Sequence, residues 1–137
     1  MADTIELEVA TPERELVREL VSDLQVPGKN GYMGILPGHA PLLGLLGIGT
    51  LSYVTASDGK KRYLSVHGGF LEVLDDHVRI LADCAERAEE IDVNRAKAAL
   101  QRAQDEGLNP ALGVDPAVAL SAAARAQARL DTVEKHK

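Results

Sequence analysis

Side chains able to do acid–base or ligand chemistry are few and scattered in this chain. His39, His67 and His77 carry imidazoles that titrate near neutral pH and ligate metals. On a β-rich scaffold the three could hold a metal ion, the one enzyme-like arrangement available. Their spacings follow none of the ligand patterns that zinc sites repeat, and no serine or cysteine nucleophile lies beside His39. A free-standing metal-dependent β-sandwich enzyme using His39, His67 and His77 is therefore kept as the alternative, and no catalytic residue is assigned. Cys84 is the single cysteine. It excludes an intrachain disulfide and reads as a small buried hydrophobe in a reducing compartment.

The arginines near the end form a better pattern. Arg95 and Arg102 stand seven apart and share a face of a helix, as do Arg125 and Arg129, four apart. Laid side by side, two such faces can meet around an anion, because guanidinium forks match phosphate oxygens. The plain alternative is a solvated charged face. Residues 107–137 carry 4 basic against 3 acidic side chains, whereas residues 1–106 carry 11 against 18. The last stretch thus offers cations to an acidic partner surface, an attraction that salt weakens.

These residues must be positioned by two dissimilar parts. The four aromatic residues, Tyr32, Tyr53, Tyr63 and Phe70, fall in the first 70 positions, and every Ile and Met at or before Ile91. Beyond it the apolar residues are Ala with scattered Leu and Val. The fold class expected is β + α: an N-terminal antiparallel β-sandwich over 1–87, followed by a C-terminal α-helical hairpin over 88–137. Thr4 to Val9 alternates as a half-buried strand does. Thr50 to Thr55 and Arg62 to Val66 flank Ser57-Asp58-Gly59-Lys60, a hairpin signal, and Phe70 to Leu74 and His77 to Leu81 flank Asp75-Asp76. Leu16, Val17, Leu20, Val21 and Leu24 fit a helical stripe better than an alternation.

In the tail, Asp92 can N-cap a helix running to about Glu106, with Gly107 as its stop. Asp115-Pro116 opens a second helix to about Val133. Ordering each residue costs about 1.5 kcal/mol, and alanine methyls return little, so this hairpin is marginal alone. It needs a surface to lie on, and mobility is expected of it.

The net charge of −6 argues against a nucleic-acid partner. No apolar run approaches the roughly 18 residues of a membrane span, so no direct membrane insertion is expected. The Met1–Thr4 start lacks a secretory signal, and a soluble, cytoplasmic chain is expected.

The most constrained segment is Gly31-Tyr32-Met33-Gly34-Ile35-Leu36-Pro37-Gly38-His39-Ala40-Pro41-Leu42-Leu43. Three glycines and two prolines force tight turns within an apolar run. The segment closely resembles the central signature of the epsilon subunit of the rotary F-type ATP synthase, bacterial type. Thr11-Pro12-Glu13-Arg14, Val66 to Val73, and Ile80-Leu81-Ala82-Asp83 on through Ile91-Asp92-Val93-Asn94-Arg95-Ala96 follow in that family's order.

The resemblance implies a strand at Leu16 to Val26 and a non-catalytic central-stalk subunit. Its sandwich would clamp the gamma subunit and meet the polar loops of the c-ring, with Tyr32, Met33, Ile35, Leu36, His39 and Leu42 at the subunit interface. Tyr32 departs from the acidic or amide residue many members carry there. The resemblance also implies a regulatory hairpin, folded on the sandwich or extended along gamma toward the alpha/beta head, where it obstructs hydrolysis. Glu86, Ile91, Asp92, Arg95, Ala96, Arg102, Arg125 and Arg129 match a nucleotide-binding signature, so ATP is a regulatory ligand and no cofactor is required. The expected location is peripheral, on the cytoplasmic face of the bacterial plasma (inner) membrane.

Overall fold

The structure, a computed structural model, describes residues 3–137. Seven strands come first: β1 (Ile5–Ala10), β2 (Glu15–Gly28), β3 (Gly31–Ile35), β4 (Leu42–Thr55), β5 (Lys61–Leu74), β6 (His77–Ala82) and β7 (Ala85–Arg87). A 3-10 turn at Ala88–Glu90 leads to α1 (Val93–Leu108), and a second at Pro110–Leu112 to α2 (Pro116–His136).

β1 pairs with β2 on one side and β6 on the other, so the pairings β1–β2–β4–β5–β6 close into a ring. Closure leaves no edge strand along that circuit, and β3 and β7 attach to β2 and β5. The sandwich is antiparallel except for β1 against β6, which run parallel. Alternation fills its interior: Ile5, Leu7 and Val9 from β1 and Val78, Ile80 and Ala82 from β6 point inward. They meet Val21, Leu24, Val26, Leu51, Leu64, Val66 and Leu71 in one core drawn from residues 5–85.

β2 is a strand, and the helical stripe read there has a physical source. The strand carries one extra residue at Leu16, between the pairings Val9–Val17 and Ala10–Glu15, and another between Val21 and Asp23. Each added residue switches which side chains face inward, so Leu16, Val17, Val21, Leu24 and Val26 are all buried without strict alternation. β5 breaks differently. Leu64–Val66 pair with β7, whereas Gly69–Leu74 pair with β6. The exchange occurs at Gly68 and Gly69, with φ of 74° and 122°. A β-carbon at position 69 would collide with the Leu81 carbonyl and stand 2.8 Å from the Ala82 Cα. At Asp75-Asp76 both φ are positive, 50° and 59°, a tight hairpin made without glycine.

Asp92 caps α1 as expected, its carboxylate accepting from the Arg95 N–H at 3.0 Å. Gly107 is not the stop. α1 continues to Leu108 and ends at Asn109, before Pro110; a residue preceding proline is driven from the α region. Asp115 caps α2 through the Ala117 N–H at 2.8 Å, and that helix runs three residues past Val133. α1 packs on α2, and α2 on β4 and β5. The contact residues are small, with Ala96, Ala103, Ala119, Ala126 and Ala128 buried.

Two outcomes follow from this division. A fragment ending at Asp92 is expected to keep a cooperative thermal transition, because the core needs nothing beyond Ala85. Gly69→Ala is expected to destabilise the chain by about 3 kcal/mol or more through strain at positive φ and the clash with Leu81, read as a fall in Tm.

Candidate functional site

The junction between sandwich and tail is clamped by charge. The Thr11–Arg14 turn is closed by the Thr11 N–H donating to the Arg14 carbonyl at 2.9 Å. It presents Arg14 to Glu90 in a two-pronged contact of 2.8 and 3.2 Å. That hydrogen bond holds the Glu90 carboxyl below its ordinary range. Arg87 also reaches Glu90, at 3.3 Å, and donates to the Leu16 carbonyl.

Beyond the clamp, α2 is fastened by polar contacts that flank its alanine seam. Thr50 and Thr132 share a buried hydrogen bond of 2.8 Å, and Arg129 pairs with Glu86 at 2.5 Å. The Lys135 ammonium lies 6.0 Å from the centre of the Tyr32 ring. Arg125 donates to Ser121 on its own helix at 2.6 Å. Under α2, His67 is 5% exposed with Nε2 2.8 Å from the Ser65 hydroxyl. Burial is the main cause that pushes its pKa down to about 4, reinforced by Arg129 and Arg125 and opposed by Glu86.

Of the expected nucleotide residues, Arg125 and Arg129 on α2 therefore lie on the side of the helix docked over His67, with Glu86 of β7 paired to Arg129. Ile91 and Ala96 are buried, and Asp92 serves as a helix cap. Arg95 and Arg102 are exposed on α1 and form no ion pair among the described residues. The two arginine pairs do not share a ligand cage in this conformation. Glu86 fills the role of counter-ion.

The interface expected at the constrained segment needs correction. Ile35 is fully buried and belongs to the core, so it cannot offer a contact to another subunit. A strand residue opposite Leu24 faces inward regardless of the loop that follows. Met33 and Leu42 are partly buried against the same core. Leu36 is exposed, and His39 sits in a turn closed on the Leu36 carbonyl at 3.1 Å. Gly38 donates to the Asp76 carboxylate at 2.7 Å, which ties this loop to the β5–β6 turn. Tyr32 lies over β4, its hydroxyl accepting from the Thr50 N–H at 3.0 Å, so its ring serves the docked end of α2. The histidines do not converge: His77 faces Glu6 at 3.4 Å, and among the described residues no group of three His, Cys, Asp or Glu could hold a metal.

A surface not anticipated lies on the outer face of β4, β5 and β6. Leu43, Leu45, Phe70 and Leu81 are 78%, 47%, 62% and 45% exposed, and the pairings Leu45–Phe70 and Phe70–Leu81 make them contiguous. They line a groove of about 450 Å³. The signal was in the sequence: Leu42-Leu43-Gly44-Leu45-Leu46 and Phe70-Leu71 do not alternate, as befits strands apolar on both faces.

Comparison with known proteins agrees with this architecture. The family described as "ATP synthase, Delta/Epsilon chain, beta-sandwich domain" matches residues 4–88. The "ATP synthase epsilon chain" of Solibacter usitatus is 73% identical over 98% of this chain and 99% of its own length. That of Koribacter versatilis is 54% identical over 76% of this chain and 72% of its own. Among solved structures, a chain of the Euglena gracilis mitochondrial ATP synthase (OSCP/F1/c-ring) matches with a TM-score of 0.74 and 28% identity, covering 98% of this chain and 79% of that one. Among the described residues no helix is long and apolar enough to cross a membrane. On the matched sandwich and the near full-length likeness to its relatives, the chain belongs to the epsilon-chain family of the F-type ATP synthase.

Proposed function

We propose that this chain acts as a rotor subunit of the central stalk, coupling ion-driven rotation of the c-ring to the catalytic head through gamma, without bond chemistry of its own. The observation that carries this reading is the apolar face of Leu43, Leu45, Phe70 and Leu81. Contiguous apolar surface of this kind marks an interaction site. It lies on a closed, rigid sheet, which suits a part that must transmit torque without deforming. The gamma subunit is the occupant proposed for this face. The Leu36–Pro41 loop, braced by Asp76, is proposed to meet the polar loops of the c-ring, which places the subunit peripherally at the cytoplasmic side of the membrane.

The tail is the regulatory element in this reading. Docked, it covers Thr50, His67 and Glu86. Released, it carries Arg125 and Arg129 to the alpha/beta head and restrains hydrolysis. ATP is the proposed regulatory ligand of the docked form. To engage Arg129, a phosphate must displace or share the Glu86 carboxylate, and Arg95 and Arg102 must turn inward from α1. Binding shifts the two forms only by its difference in affinity between them.

Phe70→Asp is expected to weaken binding to gamma by about 2 kcal/mol, roughly thirtyfold, while leaving the thermal transition of the isolated chain nearly unchanged, because Phe70 is already in water. Unaltered affinity in a titration against gamma removes the proposed interface. Arg125→Ala or Arg129→Ala is expected to weaken ATP binding by about 1.5–3 kcal/mol in calorimetric titration. Deleting residues from Gly107 onward is expected to raise ATP hydrolysis by the assembled complex. Absence of heat at millimolar ATP leaves the arginines as docking groups alone.

A further inference from the structure

We infer that docking of α2 on the sandwich is linked to proton occupancy of His67, so that mild acid releases the tail. The inference rests on the proposal that the hairpin leaves the sandwich.

The geometry is that of a buried base beneath two cations. His67 ends the first half of β5, immediately before the Gly68–Gly69 break, and its backbone N–H donates to the Cys84 carbonyl at 2.9 Å. Its Nε2 lies against Ser65, whereas its buried Nδ1 has no hydrogen-bond partner among the described residues. Arg125 and Arg129 of α2 and Glu86 of β7 face it. Cys84, the neighbouring thiol, lies 4.0 Å from Arg129. Glu86 is already engaged by Arg129, so a third positive charge here must share that carboxylate. With Nε2–H donating to Ser65, a neutral ring leaves only a lone pair at Nδ1. Protonation places a donor there with nothing to accept it, a costly state in a buried site.

Undocking removes both arginines and opens the ring to water. The sign follows from linkage. The docked state holds the imidazole at about 4 against an ordinary 6.5, and so binds fewer protons than the undocked state. Docking is at full strength above about pH 6.5 and is lost progressively as pH falls toward 4. With those two values, docking is about thirtyfold weaker at pH 5 than at pH 7.5.

Amide hydrogen exchange on the full-length chain between pH 5 and 7.5, corrected for intrinsic rates, tests this. The expected result is opening of α2 about thirtyfold more frequent at pH 5, with β4 and β5 core amides unchanged, and a pH-independent α2 in His67→Gln. Direct titration of the His67 ring by NMR in the unaltered chain needs no variant to fold, and its midpoint is expected well below 6.5. A midpoint near 6.5, or acid-dependent opening retained in His67→Gln, overturns the inference. Separate but pH-invariant opening of α2 overturns the proton link alone. Opening of α2 only together with the whole chain overturns both the link and the mobile tail.

Discussion

β5 cannot run as one regular strand, because a side chain at position 69 has nowhere to go between Leu81 and Ala82. The break at Gly68 and Gly69 obliges the strand to change partners, from β7 before it to β6 after it. Much of the remaining architecture depends on that exchange. The first half carries Ser65 and His67 beneath the tail and recruits β7, which brings Glu86 alongside. The second half carries Phe70 outward into water. One steric constraint thus serves the tail-covered face and the exposed apolar face on a single strand.

The tail rests on the sandwich by a mixed arrangement of modest strength. Alanines let α1, α2 and the sheet approach closely but bury little apolar area each. The specific contacts are polar: Thr50 with Thr132, Glu86 with Arg129, Tyr32 with Lys135. The buried Thr50–Thr132 hydrogen bond nets about 0.5–1.5 kcal/mol, and partly exposed charged contacts such as Glu86–Arg129 contribute about 1 kcal/mol or less. A surface held this way can be left and regained, whereas the aliphatic core of the sandwich cannot. The division between sandwich and helical tail therefore has an energetic basis in residue type.

Legibility in the sequence followed locality. Asp92, Asp115-Pro116 and Asp58-Gly59 act on backbone within a few residues, and they mark helix starts and a turn where the structure has them. Gly107 does not stop its helix because a glycine near a helix end can also sit inside it; here an added β-carbon would make only an ordinary contact with Ala119, at 3.8 Å. The stripe in β2 mimicked a helix because bulges alter which residues face inward. For the site, Arg129 is legible from its spacing with Arg125 and Glu86 through family resemblance, but their mutual pairing is not. Thr50 and Thr132 lie 82 residues apart, and nothing near either residue announces the other. Ile35 was assigned outward because its loop is distinctive, although its own position is on a buried strand. The outer apolar face was available as broken alternation around Leu43 and Phe70.

The clasp of Arg14 and Arg87 on Glu90 fixes where the tail leaves the body, and this makes Glu90 a fulcrum. At about 1.5 Å per helical residue, the stretch from Ile91 to Lys137 laid end to end measures about 70 Å. Were the tail to leave the sandwich as proposed, a lever of that length anchored at one exposed carboxylate would convert a small rotation at the joint into a sweep many times larger at its tip. Leu108, Leu112, Val118 and Leu120, all in water near the turn between the helices, ride partway along that arm. Where they can land is set by the radius of the swing.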